Sequence, residues 1–161
     1  MREVVIGVDL GASKILYGVI TLEGNILYKN TIPTNSEEGV ESVLEKMTAS
    51  IQTLISRYET NSKITGVVIA TPGPLSYPDS MVLNSPNLKW EKVALRDEME
   101  KRLNRGVVVE KDTNVAALGE YYFGQNKKYN NLIYITVSTG VGGGIIINDR
   151  LYRGAIGGAG E

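Results

Sequence analysis

The 161-residue sequence contains no cysteine and no histidine. The first absence excludes a disulfide framework and any thiolate metal centre, so no zinc site is expected within these residues. The second removes the side chain most often used as a general base or a metal ligand. A surplus of one charge is also lacking: 17 Lys and Arg stand against 18 Asp and Glu, a formal net charge of -1, and the basic residues are scattered. Nucleic acid or an anionic membrane would need clustered Lys and Arg, so neither is an expected partner. No apolar run approaches the roughly 20 residues needed to span a bilayer, and the N-terminus lacks a charged-then-apolar leader pattern. A cytoplasmic protein is expected. Its chemistry must rest on carboxylates, lysines, hydroxyls and backbone.

What is present is organised around Val4 to Lys14, VVIGVDLGASK. The β-branched run reads as a buried strand that delivers Asp9 to its end, where a small-residue turn of Leu10, Gly11, Ala12 and Ser13 begins. A carboxylate there can hold a hydrated metal ion. Gly11 lacks a Cβ, so backbone can approach a bulky anion, and turn N–H groups can point at phosphate oxygens. A second apolar run, Ile15 to Ile20, follows at once and makes the turn a hairpin tip. Neither G-x-G-x-x-G opening a helix nor G-x-x-x-x-G-K-[ST] is present.

A third strand is predicted over Ile26 to Thr34, with Ser36 as the N-cap of a long helix. Val40, Val43, Leu44, Met47, Ile51, Leu54, Ile55 and Tyr58 give that helix one apolar stripe. Ile64 to Ala70 reads as a buried parallel strand reached by a helical crossover. Thr71 to Trp90 holds four of the five prolines and reads as a long irregular loop, with Trp90 as its buried anchor. A second helix is predicted from about Lys92, ended by Gly106. Then come a strand over Val107 to Lys111, with Asp112 at its end, and a helix to Phe123 packing Val115, Ala116, Leu118, Tyr122 and Phe123. From Leu132 two further strands flank the glycine-rich tip Thr139 to Gly144. The expected order is β-β-β-α-β-α-β-α, an α/β fold with a mixed sheet, one ordinary domain or two small lobes by length.

Asp9 with Gly11, Asp112, and the Thr139 to Gly144 tip all fall where ligands bind in open sheets, outside the carboxyl ends of parallel strands. Two glycine-rich tips and two carboxylates suit phosphoryl transfer: backbone N–H groups hold phosphate, one carboxylate holds the metal's hydration shell, and the other accepts a hydroxyl proton. Bland alternatives stand beside this. Asp112 can be a helix N-cap, Asn84 and Asn87 turn formers beside proline, and Lys14 a solvated strand residue.

In their order and spacing, VVIGVDLGASK, ATPGPL (Ala70 to Leu75), VLNSPNLKW (Val82 to Trp90), EKDTNVAALGE (Glu110 to Glu120) and STGVGGGIIIN (Ser138 to Asn148) resemble the ROK sugar kinases. The resemblance covers the whole chain. It implies a ribonuclease H-like, actin-like ATPase fold, with residues 1–125 as the N-terminal lobe and 126–161 as the start of a second lobe. It implies glucokinase-like phosphorylation of a hexose by ATP with Mg2+, and hexose and ATP as partners. Asp112 would be the general base, and Asp9 would hold Mg2+ through bound water. Phosphate would be held by Asp9, Gly11, Ala12, Ser13, Thr139, Gly140, Gly142 and Gly143. The sugar would be held by Gly73, Asn84, Asn87, Lys111 and Glu161.

The sequence departs from the family at Lys111, where an Asn that contacts sugar is usual. The family's histidine after Glu161, its zinc motif and its adenosine-binding lobe would follow the last residue, so a truncated N-terminal portion that holds ATP weakly is expected. Exposed edges and apolar surface from Leu132 to Ile147 should then drive dimerisation or strand exchange, and a homo-oligomer is expected. A sugar-sensing family regulator is the alternative. Such regulators carry a helix-turn-helix before the first strand, whereas here the sheet starts at Glu3, which favours the kinase. A two-metal nuclease and an actin-like assembly module rank below both.

Overall fold

The computed structural model describes residues 1–124, 129–137 and 140–161, so the expected phosphate residue Thr139 lies outside the described residues. Strands β1 (Arg2–Leu10), β2 (Lys14–Thr21) and β3 (Ile26–Pro33) pair antiparallel in chain order, with Asp9 opposite Leu16 and Lys14 opposite Pro33. Alternation along β1 sends Val4, Ile6, Val8 and Leu10 into the core and Asp9 to the other face. Helix α1 (Val40–Tyr58) covers the core face with Val43, Leu44, Met47, Ile51, Leu54 and Ile55, the stripe expected from its spacing. Each such Leu or Ile contributes roughly 1.5–3 kcal/mol through burial.

The chain then returns as β4 (Ser62–Thr71), parallel to β1. After helix α2 (Leu95–Leu103) it adds β7 (Val107–Lys111), parallel to β4; a small antiparallel hairpin, β5 (Val82–Ser85) and β6 (Trp90–Val93), lies between β4 and α2. The sheet order is β3-β2-β1-β4-β7. Helix α3 (Asp112–Phe123) follows, then β8 (Leu132–Val137), β9 (Val141–Ile147) and β10 (Arg150–Tyr152) as an antiparallel sheet of order β10-β9-β8. This is the mixed-sheet α/β architecture expected.

Local boundaries differ in instructive ways. Ser36 does not cap α1: Ser36–Glu38 is a short 3-10 turn, and the helix begins after Gly39, at φ 90. Glu38 organises that end instead, accepting from Asn35, Ser42 and Lys46, which holds its carboxyl down at about 2. The proline-rich stretch is not wholly irregular. Val82, Ser85, Leu88 and Trp90 point inward while Asn84 and Glu91 point out, so the β5–β6 hairpin closes on the core and extends through Lys92, displacing the start of α2 to Leu95. Trp90 is the buried anchor expected. The left-handed residue ending α2 is Asn104, at φ 49, rather than Gly106. Along α3 the buried residues are Asn114 and Ala117, while Tyr122 and Phe123 are exposed, because β8 and β9 cover only one side of this helix. Among the described residues no helix is long and apolar enough to cross a membrane.

Candidate functional site

Strands β1, β4 and β7 run parallel, so their carboxyl ends lie along one edge of the sheet. In register, Asp9 stands beside Ala70 and Ala70 beside Glu110. Two strand spacings therefore separate Asp9 from the end of β7, about 10 Å between backbones. Asp112 is the next residue after β7 and the first of α3; Lys111 precedes it in extended conformation and offers the helix no side-chain cap. The Asp112 carboxylate fills part of that role, since its Oδ1 accepts from the Thr113 N–H at 2.7 Å. Its other oxygen has no protein donor among the described residues.

Asp9 and Asp112 line one cleft of about 730 Å³, with Gly7 and Gly18 of the sheet beneath and Thr113 and Thr136 beside them. Burial pushes the Asp9 carboxyl above the usual range, Asp112 pushes it further, and Lys14 opposes. Burial also raises Asp112; the Thr113 N–H and Lys111 pull against it, and Glu161 adds to it. The Asp9 carboxyl thus feels Asp112 across the cleft.

The first turn is held from two sides. The Gly11 N–H donates to Lys14 O at 2.9 Å, so this amide serves the hairpin itself, and a Cβ on Gly11 would stand 2.9 Å from that same oxygen. Thr34, fully buried, donates through Oγ1 to Gly11 O at 2.7 Å and through its N–H to Ser13 O at 3.1 Å. Sequence reading missed Thr34, whose role depends on β3 returning beside the turn.

Of the second glycine run, only Gly140 precedes β9, and open space lies where its Cβ would be; Gly142, Gly143 and Gly144 belong to the strand. These strand glycines serve close approach. A Cβ on Gly144 would overlap Thr113 O and Ala117, and one on Gly142 would sit 3.3 Å from Thr113 Cγ2. The absence of side chains lets β9 lie against the first turn of α3, next to Asp112. The Gly143 N–H is committed to Gly160 O at 2.8 Å.

The residues expected to hold the sugar lie in two places. Gly73, at φ 95, is packed so that a Cβ would stand 2.5 Å from Asn84 O. Asn84 and Asn87 are exposed on the β5–β6 hairpin, and neither they nor Gly73 line the cleft. Lys111, its side chain only 4% exposed, is ion-paired to Glu161 at 3.0 Å and donates to Ala159 O at 2.9 Å. The adjacent Glu110 is paired to Arg153 at 2.7 Å and accepts from Asn114 Nδ2 at 2.8 Å. Neither Glu110 nor Arg153 stands out in the sequence.

Among the described residues no three acidic side chains converge as a metal cage. The carboxylates at the cleft are Asp9 and Asp112, with the threonines Thr113 and Thr136 beside them. One or two carboxylates with water and phosphate suit Mg2+. A two-metal nuclease needs a denser acidic cluster.

The model describing the ROK family matches residues 5–161. The glucokinase of Streptomyces coelicolor is 40% identical over 156 residues, which cover 97% of this chain and 47% of that protein. A xylose repressor of Caldicellulosiruptor bescii is 35% identical over 158 residues, 98% of this chain and 40% of that protein. Among solved structures, a ROK family glucokinase from Streptomyces griseus in complex with glucose and AMPPNP superposes with a TM-score of 0.84 at 37% identity, over 98% of this chain and 49% of that one. The chain thus spans about half the length of the glucokinases it matches.

Proposed function

Since the chain belongs to the ROK family, we propose that it carries the hexose-binding and base-bearing part of a glucokinase-like enzyme that phosphorylates a hexose with ATP, in the cytoplasm. The observation that carries this reading is the pairing of Asp9 and Asp112 in one cleft, each at the carboxyl end of a parallel strand. Residues 1–125 form one lobe in this reading and 126–161 begin a second; the adenosine contacts come from sequence outside these residues. The glucokinase likeness supports a kinase.

Asp112 is the general base. With Oδ1 fixed by the Thr113 N–H, its second oxygen is the one left to take the hexose hydroxyl proton. That proton moves to Asp112 as the hydroxyl oxygen bonds to the terminal phosphorus and the bond to the departing ADP oxygen breaks. Partial burial raises the basicity of the Asp112 carboxylate, with the Thr113 N–H and Lys111 pulling against it. Asp9 would hold Mg2+ through its bound water. When bound, Mg-ATP supplies the phosphoryl group and offsets the charge that the two carboxylates bring together. The first turn contributes Ala12 and Ser13 backbone, with Gly11 providing clearance, and the second contributes Thr139 and Gly140, with Gly142 and Gly143 letting the strand approach. Gly73, Asn84, Asn87, Lys111 and Glu161 form the sugar side.

The reading is tested by titrating D-glucose into the 15N-labelled chain. Shift changes centred on Asp112, Thr113 and Glu161 support it, and changes confined to other surfaces, or none at millimolar sugar, count against it. A second reading, a sugar-responsive regulator without turnover, is favoured by Lys111 being tied to Glu161 beside Asp112, and by the likeness to the xylose repressor. Hexose binding without ADP release distinguishes it.

A further inference from the structure

The segment Arg153 to Glu161 has no helix or strand and buries none of its side chains deeply, yet it holds one definite course. Its composition opposes this. Four of its nine residues are glycine, and Gly154, Gly157 and Gly160 sit at φ 73, 86 and 81, so ordering it costs more conformational entropy than an ordinary loop. The order must come from polar contacts, and these converge on two consecutive residues of β7.

Successive side chains on a strand point to opposite faces of the sheet. Glu110 receives Arg153 at the start of the segment, with Nε and Nη2 at 2.8 and 2.7 Å from Oε2. Lys111 receives its end, at Ala159 O and the Glu161 carboxylate. The segment therefore crosses the carboxyl end of β7 and is clasped on both faces, immediately before Asp112. Two backbone bonds complete the clasp: Ala159 N–H to Arg153 O at 3.1 Å and Gly143 N–H to Gly160 O at 2.8 Å. At Gly160 a Cβ would overlap the Gly143 carbonyl, so the approach to β9 depends on that glycine.

We propose that Lys111 is a positioning residue: through its ion pair it closes the 153–161 strap over β7 and fixes Glu161 at the hexose site, with one carboxylate oxygen left to accept from a substrate hydroxyl. This rests on the hexose-binding reading above. Lys111 thus works through Glu161, its ammonium donating to Ala159 O and standing 3.0 Å from the Glu161 carboxylate. Breaking the pair has unequal consequences. Without Lys111, the half-exposed Glu161 is solvated by water; without Glu161, a nearly enclosed ammonium loses its counter-charge.

The test compares the chain with Lys111→Met, Glu161→Gln and the double variant, by amide hydrogen exchange and by D-glucose titration. Glu161→Gln keeps the shape of a half-exposed side chain, so it removes the charge of the pair without deleting the enclosed lysine. Loss of the ion pair should speed exchange at Ala159 and Gly143 by about tenfold or more in each single variant, with the double no worse than the more affected single. The glucose Kd should rise by a similar factor while amides in α1 stay protected. Unchanged exchange at Ala159 and Gly143 would overturn the clasp. Faster exchange with an unaltered glucose Kd would overturn the positioning role. If the unsubstituted chain binds no hexose, the sugar-kinase reading falls and the positioning role with it, while the exchange data still decide whether Lys111 closes the strap.

Discussion

Thr34, the residue that follows β3, donates its hydroxyl proton to the carbonyl of Gly11 at 2.7 Å and is fully buried while doing so. The hydroxyl ties the third strand to the first turn, 23 residues earlier. Thr34→Val removes the donor and leaves the Gly11 carbonyl without it. A loss of about 1–2 kcal/mol is expected in urea unfolding, with Thr34→Ser close to the unsubstituted chain. Equal stability of the Val and Ser variants would show that the turn holds itself.

Asp9 should cost the fold stability at neutral pH. Its carboxyl is raised in the folded chain by burial and by Asp112, so the native state binds this proton more tightly than the unfolded state does. Stability from this group is then greatest below the ordinary value of 3.8 and declines as pH rises through the folded value. Asp9→Asn is expected to raise the Tm at pH 7, and the difference should vanish in melts below pH 3.8, where Asp9 is neutral in both states. A lower Tm for the variant at pH 7 would mean that Lys14 outweighs burial and Asp112.

The outward face of the second sheet is apolar: Ile133, Ile135, Val137 and Val141 are 69, 63, 77 and 73% exposed. Their register partners place them on the face away from α3, and β8 is an edge strand. Self-association of the 161-residue chain is the expected consequence. Sedimentation velocity over a rising concentration series should show a dimer that Ile135→Lys weakens. A sharp monomer at every concentration would remove the expectation of a homo-oligomer.

Much of this was legible in the sequence because single-period patterns carry it. The 3.6-residue stripe of α1 and the alternation of β1 specify both elements and the face each buries. The β5–β6 hairpin was hidden because prolines dominate a stretch whose inward residues, Val82, Ser85, Leu88 and Trp90, keep no simple period. Asp9 and Asp112 could be placed at strand ends from pattern alone. Thr34, Glu110 and Arg153 could not, since each acquires its role from a partner far along the chain. Nor does the sequence reveal that α3 presses against Gly142 and Gly144 of β9.

The central claim is that Asp112 takes the proton from a hexose hydroxyl as phosphate is transferred. It is tested most directly by hexose-dependent ADP release from Mg-ATP, measured on the 161-residue chain and on the same chain extended with the carboxyl-terminal part of the Streptomyces coelicolor glucokinase. In the extended chain, turnover should require one hexose and fall by about 10²–10⁴-fold in Asp112→Asn, the range expected when a general base is lost. Turnover that survives in Asp112→Asn, or none on any hexose with Asp112 intact, would contradict it.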